Sequence, residues 1–323
     1  MGVRLSRPAA ARAAPEEVAQ GADWTCAFVN NMPDGAFEAT ERQFLDLLAT
    51  GTGPDLVEVR RYAMAGVPRG ERVAARIEAD YAPVATLRED PPDLLIVTGS
   101  NPVEEHMEDE PYWADLAQLL SWASEHVHSM LLSCLSAHAA LTVFDSIPRQ
   151  RLQSKCTGVF VQEVDTSHPL AVGLGSRITL PHSRTSTVHE KLLEGAGYHV
   201  AVHSDDVGWA VATKQVGRAQ VVLVQGHPEY DPSSLLREYH RDVRRYVRDE
   251  RDEPPVLPLH CVAPEDWPEL EYLHEMVVGG KRDPDLVAAY PFDEVGARAT
   301  WPWHVAAQGL YANWVESLRK RGD

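Results

Sequence analysis

Cys134 stands where an apolar run meets a segment with a helical pattern. The run SMLLS (129–133) precedes it and SAHAALTVF (136–144) follows it. A cysteine at a strand–helix junction projects from a sharp turn, and the helix N-terminus favours its thiolate. The backbone N–H of Leu135 is then a candidate oxyanion donor, and the loop at Gly99 is a candidate source of a second. A small buried core cysteine is the alternative that position alone leaves open.

A candidate base and its partner follow a second strand-like run. Residues 219–225 (AQVVLVQ) lead into Gly-His-Pro-Glu, where His227 and Glu229 are two positions apart. In an extended turn, side chains at this spacing project the same way. His227 is suited to take the thiol proton, and Glu229 to orient the imidazole and stabilise its charge. A surface turn is the alternative for an isolated His-x-Glu, but a nucleophile and a base at two strand ends favour catalysis.

The elements that must position these residues alternate between strand and helix from residue 24 onward. Such a rhythm predicts an α/β fold with a doubly wound, mostly parallel sheet, in which ligands bind beyond the carboxyl ends of the strands. The predicted strands lie at 24–30, 56–62, 93–98 and 129–133, and the predicted helices lie around 37–48, 70–79, 112–126 and 136–144.

The second half of the chain predicts a short antiparallel extension of that sheet. Asp231-Pro232 is a strong helix start, with Asp as the cap and Pro at the first helical position. The extension strands are expected at 198–203, 208–213 and 219–225, and the helices at 231–248, 266–278 and 303–319, with a surface connection over 249–265.

Charge and composition exclude several classes of partner. The 323 residues carry 30 Lys plus Arg against 48 Asp plus Glu, a net charge of −18. Such a chain is a poor binder of nucleic-acid phosphate or anionic lipid, so we expect neither partner. Hydrophobic residues at 44% and charged residues at 24% are typical of a globular protein. A single domain is expected over 24–323, after a disordered tail at 1–23 that is rich in Ala, Arg and Pro.

The cysteines predict a reducing cytoplasm and no metal. Four cysteines without a C-x-x-C clip do not make a disulfide framework. His and Cys residues nowhere have the spacing of zinc ligands. No apolar stretch approaches the roughly 20 residues that span a bilayer.

Nine short motifs, in order, resemble the homoserine O-acyltransferase family, also called homoserine transsuccinylases. GHPEYD and PHSR are the specific ones, and the likeness covers about residues 25–315. The resemblance implies a class I glutamine amidotransferase-like (flavodoxin-like) fold. It also implies an acyl-thioester on cysteine, formed from acyl-CoA and passed to the homoserine hydroxyl in methionine-type amino-acid biosynthesis. The strings are NNMP (30–33), ATERQFLDLL (39–48), LIVTGS (95–100), YW (112–113), GVF (158–160), PHSR (181–184), GHPEYD (226–231), EYHRDV (238–243) and NW (313–314).

The resemblance also assigns roles residue by residue. It makes Cys134 the acyl-accepting nucleophile, His227 the general base and Glu229 its orienting partner. It implies substrate-binding roles for Lys155, for Ser183 of PHSR and for Arg241 of EYHRDV, whose guanidinium fork suits an amino-acid carboxylate. The expected partners are small molecules, with acyl-CoA as a co-substrate rather than a bound cofactor, and a homodimer is suggested by analogy.

Acyl choice stays open at this point. In the family, a small Gly after the TG motif leaves room for succinyl, and a Glu there favours acetyl. Counting from the motif places Val103 at that position, and a slip of one residue places Glu104 there. Val leaves less space than Gly and lacks the negative charge of Glu, so a succinyl donor and an acetyl donor both remain possible.

Departures from the family pattern leave further alternatives. His138 stands where the family usually has Gln, and Asp34-Gly35 stand where it often has a lysine pair. His138 either touches the site or packs. Serine or another hydroxy amino acid is therefore an alternative acceptor. A glutaminase-like amidohydrolase with the same triad and a non-enzymatic relative that binds a small acid are the remaining alternatives.

Overall fold

The computed structural model describes residues 2–6, 21–102 and 104–322, and side chains as far as 319. Its strands are β1 Gly2–Ser6, β2 Trp24–Val29, β3 Leu56–Ala63, β4 Ala82–Pro83, β5 Leu94–Val97, β6 Ser129–Ser133, β7 Gln150–Val164, β8 Arg177–Thr187, β9 His199–Ser204, β10 Gly208–Val216 and β11 Ala219–Val224.

Helices connect these strands and complete the carboxyl-terminal part of the chain. They are α1 Phe37–Gly51, α2 Glu71–Asp80, α3 Trp113–His126, α4 Leu135–Asp145, α5 Glu190–Gly195, α6 Ser234–Val247, α7 Trp267–Val278, α8 Pro284–Ala289, α9 Phe292–Arg298 and α10 His304–Gly322. None of the described helices is long and apolar enough to cross a membrane.

The strands form one mixed sheet in the order β1-β3-β2-β5-β6-β11-β10-β9-β7-β8, with β4 beside β3. Pairing is parallel from β1 to β11 and antiparallel from there to β8. This confirms the predicted doubly wound parallel sheet. The antiparallel part is longer than the sequence indicated, because it includes the ribbon of β7 and β8.

Central strands are buried on both faces because helices cover both sides of the sheet. Leu94 and Ile96 of β5 belong to a core with α1, α6, α7 and α10. Leu95 and Val97 point the other way, into a core with α3 and α4. This alternation follows from the two-residue repeat of a strand, and strands buried on both faces read as continuous apolar runs. Such runs are the signal that located β2, β5, β6 and β11 in the sequence.

Two elements lack that signal. Strands β7 and β8 pair with each other as an antiparallel ribbon, and β7 is exposed along much of its length. Their polar residues hide the pattern, so neither strand was predicted. The start of α6 also differs from the predicted start at Asp231, because the helix begins at Ser234. Asp231 does not cap it and instead forms ion pairs with Arg42 and Arg237.

The amino-terminal segment differs from the expected disordered tail over its first residues. Gly2–Ser6 form β1, which pairs in parallel with β3. Ser6 Oγ donates to Glu58 at 2.9 Å, and Val3 packs against the core. Residues 7–20 of the predicted tail lie outside the described residues, and a single domain over 24–323 stays a prediction.

Candidate active site

Cys134 lies on a sharp turn between β6 and α4. Its backbone has φ 50° and ψ −106°, a conformation that L-residues rarely adopt. The turn is held by the Cys134 N–H, which donates to the Val224 carbonyl of β11 at 2.7 Å. The Cys134 side chain is half-buried and its thiol is free. Strained backbone of this kind clusters at functional sites, where the surrounding structure holds it in place.

His227 lies just beyond the end of β11, the strand beside β6 in the sheet. Its Nδ1 is 2.8 Å from Glu229 Oε1, and its ring stacks on Tyr230 with centroids 4.3 Å apart. Its backbone N–H donates to the Pro181 carbonyl of β8 at 2.8 Å. The ring is buried, and Nε2 has no hydrogen-bond partner among the described residues. This nitrogen is therefore available to a proton in transfer.

The electrostatics of His227 favour its charged form. Burial by itself disfavours the imidazolium, but the Glu229 carboxylate outweighs it and holds the pKa of His227 well above its usual value. The Cys134 side chain raises the pKa of His227 further, so the sulfur is within electrostatic reach of the ring. A cationic imidazole beside a cysteine stabilises the thiolate. The arrangement is thus suited to a thiolate–imidazolium pair.

Gly99 and Leu135 lie beside the nucleophile. A Cβ atom on Gly99 would stand 3.5 Å from Cys134 Cβ and 3.7 Å from the Leu135 nitrogen. Leu135 is the first residue of α4, and first-turn N–H groups have no partner within a helix. Both predicted oxyanion positions therefore lie beside Cys134.

Lys155, Ser183 and Arg241 meet around two carboxylates of α6. Lys155 Nζ lies 3.3 Å from Glu238 Oε2 and 3.2 Å from Asp242 Oδ2. Ser183 Oγ donates to Glu238, and Arg241 Nε and Nη2 donate to Asp242 Oδ1 at 3.0 and 2.9 Å. The three residues that the resemblance singled out thus form one cluster, although they come from β7, β8 and α6.

A model of the Homoserine O-succinyltransferase family matches residues 10–320 of the chain. The chain belongs to the homoserine O-succinyltransferase family. It is 38% identical over 290 residues to the homoserine O-succinyltransferase of Rhodopseudomonas palustris, covering 90% of this chain and 86% of the relative. The protein of that name from Methylorubrum extorquens is 36% identical over 293 residues, and the match covers 91% of this chain and 86% of that relative. As a family member, the chain is an O-acyltransferase.

A solved glutamine amidotransferase from Methylobacillus flagellatus is similar in fold. The TM-score is 0.50 at 14% sequence identity, and the match covers 90% of this chain and 94% of that one. At this identity the likeness concerns the fold alone. It confirms the predicted class I glutamine amidotransferase-like architecture of this O-succinyltransferase family member.

Two residues of the site escaped the sequence analysis. Glu238 is the hub of the cluster, since it also accepts a hydrogen bond from Tyr230 Oη at 2.6 Å. Tyr230 stacks on His227, so it joins the cluster to the candidate base. Burial would raise the pKa of Glu238, but its cationic and hydroxyl neighbours outweigh burial and lower it. The signal that could have identified them is the family resemblance, since Tyr230 belongs to the motif GHPEYD and Glu238 to the motif EYHRDV.

The two predicted acyl-specificity positions stay predictions. Val103 lies outside the described residues. Glu104 is exposed, and its backbone N–H donates to Glu110 Oε1 at 3.0 Å. Arg149 Nη2 donates to the carbonyls of Glu104 and Glu105, which fixes this part of the loop.

His138 is buried in the core behind the nucleophile. Its Nε2 lies 2.9 Å from Gln225 Oε1, and Gln225 Nε2 donates to the Trp209 carbonyl at 2.7 Å. Burial lowers the pKa of His138 to about 4. His138 therefore packs as a neutral ring that ties α4 to the end of β11.

The structure also has a cavity apart from this site. A surface cavity of about 630 Å³ is lined by residues of β7, α5 and β9, and none of the predicted site residues borders it. Within the described part of the chain, no group of His, Cys, Asp and Glu has the geometry of a metal site.

Proposed function

We propose that this O-acyltransferase moves an acyl group from acyl-CoA to the hydroxyl of homoserine through a thioester on Cys134. The observation that carries the proposal is a strained cysteine within electrostatic reach of the His227–Glu229 pair. The pathway is amino-acid biosynthesis of the methionine type, which agrees with the names of the relatives.

The first half-reaction charges the enzyme. The Cys134 thiolate attacks the acyl-CoA carbonyl, and a new C–S bond forms. The oxyanion then collapses, the C–S bond to CoA breaks, and the CoA thiolate takes a proton from His227. The N–H groups of Leu135 and Gly99 are the proposed oxyanion donors, since both positions border the sulfur. The products are free CoA and acyl-Cys134.

The second half-reaction transfers the acyl group from Cys134 to homoserine. Neutral His227 takes the proton of the homoserine hydroxyl as its oxygen attacks the thioester carbonyl. The C–O bond forms, the C–S bond breaks, and Cys134 leaves as a thiolate beside the imidazolium. Glu229 holds the tautomer that presents Nε2 to the reacting oxygen.

The α6 cluster is the proposed site of the amino acid. Arg241 is half-exposed on its side chain and presents a guanidinium suited to the α-carboxylate. Lys155 and Ser183 line the same cluster through Glu238. A hydroxy amino acid held there lies close to His227, because Tyr230 contacts both.

The test is to follow intact mass and CoA release with succinyl-CoA and acetyl-CoA, with and without homoserine. We expect an acyl adduct that is lost in Cys134→Ala and discharged by homoserine. Cys156→Ala, which removes another half-buried free thiol, is the matched control and should still form the adduct. Ammonia release from glutamine without any adduct would favour the amidohydrolase, and discharge by serine rather than homoserine would change the acceptor.

The setting proposed for the enzyme is the cytoplasm, since thioester chemistry needs a reduced thiol. The cysteines of the described residues are all free. Acyl-CoA is proposed as a passing co-substrate. A homodimer stays a prediction, which light scattering of the purified protein would check.

A further inference from the structure

Arg184 of β8 is a buried cation without an acidic partner. The residue is 6% exposed. Its Nη1 donates to the Ser186 carbonyl at 3.1 Å and its Nη2 donates to the Val207 carbonyl, while its buried Nε has no partner. Among residues 2–6, 21–102 and 104–322, no carboxylate forms an ion pair with it. A buried charge held only by neutral carbonyls is costly, so it favours an anion that arrives with a ligand.

Arg184 lies on the strand that contacts the candidate base. Strand β8 runs beside the base, since Pro181 accepts the hydrogen bond of the His227 N–H at 2.8 Å. Successive side chains of a strand point to opposite faces. Ser183 faces the amino-acid cluster, so Arg184 points away from it. Arg184 is thus a cation separate from Arg241, which belongs to the amino-acid cluster.

The titratable neighbours of Arg184 are histidines and cysteines rather than carboxylates. Burial and then the Arg184 guanidinium lower the pKa of His182, and burial does the same for His138, with Arg184 contributing. Burial also lowers the pKa of Arg184, and the nearby thiols of Cys156 and Cys134 act in the opposite direction. Arg184 therefore lies within electrostatic reach of the nucleophile, among histidines that stay neutral.

Arg149 adds positive potential from a second direction. It holds the carbonyls of Glu104 and Glu105, and its buried Nη1 has no hydrogen-bond partner. It also contributes to the lowered pKa of His138, one helical turn past Cys134. An acyl group entering from this side meets a positive region, which suits an acyl chain that ends in a carboxylate.

We propose that Arg184 binds the distal carboxylate of a dicarboxylic acyl group, such as succinyl, while its other carbonyl reacts at Cys134. This rests on the proposed function and deepens it, because it assigns the donor class to a residue. The Nε–H of Arg184, which has no partner, lies on the same edge of the guanidinium as Nη2, and this edge is suited to the two oxygens of a carboxylate. An acetyl group has no charge to offer at this position.

Donor selectivity of the unmodified enzyme is the first test. Succinyl-CoA and butyryl-CoA have acyl chains of four carbons and differ in the terminal carboxylate. We expect kcat/KM for CoA release in the presence of homoserine to favour succinyl-CoA on the order of 10- to 100-fold, as for a hydrogen-bonded buried charge. Equal rates, or a preference for butyryl-CoA or acetyl-CoA, would overturn the proposal.

Variants assign the selectivity to one side chain. Arg184→Gln should lower the succinyl-to-butyryl ratio to near one, and Arg184→Lys should keep part of it because the charge remains. Arg177→Gln is the matched control on the same strand, since Arg177 is exposed and pairs with Glu163 at 3.1 Å. It should leave the ratio unchanged. An equal loss for both donors in Arg184→Gln, or a ratio that collapses only in Arg149→Gln, would contradict the assignment.

The outcome separates this inference from the proposed function. Adduct formation on Cys134 from every donor, without preference for a carboxylate, would leave the acyl transfer standing and remove the role of Arg184. Absence of an adduct from every donor would remove both. If Arg184→Gln does not fold, the comparison of wild type with Arg184→Lys decides, because a loss confined to succinyl-CoA is expected there as well.

Discussion

At the scale of single residues, the site depends on how much charge the interior tolerates around His227. Burial works against an imidazolium, and Glu229 reverses that balance from 2.8 Å. The same interior keeps His138 neutral, because its partner is the amide of Gln225 rather than a carboxylate. Two histidines that border one nucleophile therefore differ in charge because their hydrogen-bond partners differ.

Glu229→Gln tests the charge balance at His227. Without the carboxylate, the largest influence that raises the pKa of His227 is lost and this pKa falls, so less imidazolium faces Cys134 at a given pH. We expect alkylation of Cys134 by iodoacetamide to shift to higher pH and kcat to fall about 100-fold or more. Mass spectrometry across a pH series measures the first. Glu253→Gln, at an exposed acid, should change neither quantity, and an unshifted profile in Glu229→Gln would refute the role.

His138→Gln tests the buried neutral histidine. The pKa of His138 is about 4 when folded against a usual 6.5, so the unfolded chain binds the proton more readily. Neutral His138 therefore contributes on the order of 3 kcal/mol to the free energy of unfolding above pH 6.5. This contribution is lost as the pH falls towards 4. Urea unfolding at pH 7 and pH 4.5 should show a smaller loss in the variant than in wild type. A loss as large as that of wild type would mean that His138 is not a neutral core residue.

At the scale of elements, the β6–α4 junction determines where the nucleophile points. The junction is held from outside, by the bond from the Cys134 N–H to β11 and by α4, whose first turn bonds to the Cys134 carbonyl at 3.1 and 3.2 Å. Strand pairing between β6 and β11 thus places the cysteine and the base together. The ribbon of β7 and β8 then brings Lys155, Ser183 and Arg184 to the same end of the sheet.

The strain at this junction predicts an unusual order of stabilities. Glycine adopts positive φ without steric cost, so Cys134→Gly should be more stable than Cys134→Ala by about 1 kcal/mol, despite the greater unfolded-state entropy of glycine. Denaturant unfolding of the two variants measures this difference. At Ser133, which lies in β6 with ordinary strand geometry, the Ala variant should be the more stable. If the Ala variant is the more stable one at position 134 as well, Cys134 is not strained.

At the scale of the whole molecule, the sheet is assembled from both ends of the chain. Strand β1 extends its parallel edge, and α10 packs across α1 with the Trp314 indole donating to Ser129 Oγ at 2.8 Å. Gly51 allows this approach, since a Cβ there would stand 2.9 Å from the Tyr311 backbone. The termini therefore stabilise the strands that hold the site without forming it.

Removal of residues 1–6 tests the contribution of β1. The truncated chain loses the parallel pairing with β3 and the bonds from Arg4 and Ser6 to Glu58 at 3.3 and 2.9 Å. We expect a loss of about 2 kcal/mol or more in urea unfolding, and faster hydrogen exchange in β3. Leu5→Ser is the control, because Leu5 is 46% exposed and its change should cost under about 0.5 kcal/mol. Unchanged stability after truncation would show that β1 contributes nothing.

The sequence by itself determined the parallel strands β2, β3, β5 and β6 and the pair of strand ends that carry Cys134 and His227. Their signals are local: continuous apolar runs mark strands buried on both faces, and a polar residue after each run marks the edge where ligands bind. Only the tertiary structure decided that Glu238 gathers Lys155 and Ser183, and that Arg184 is buried without a carboxylate partner, within electrostatic reach of Cys134. These depend on the β7–β8 ribbon, whose strands are largely polar and leave no apolar run to read.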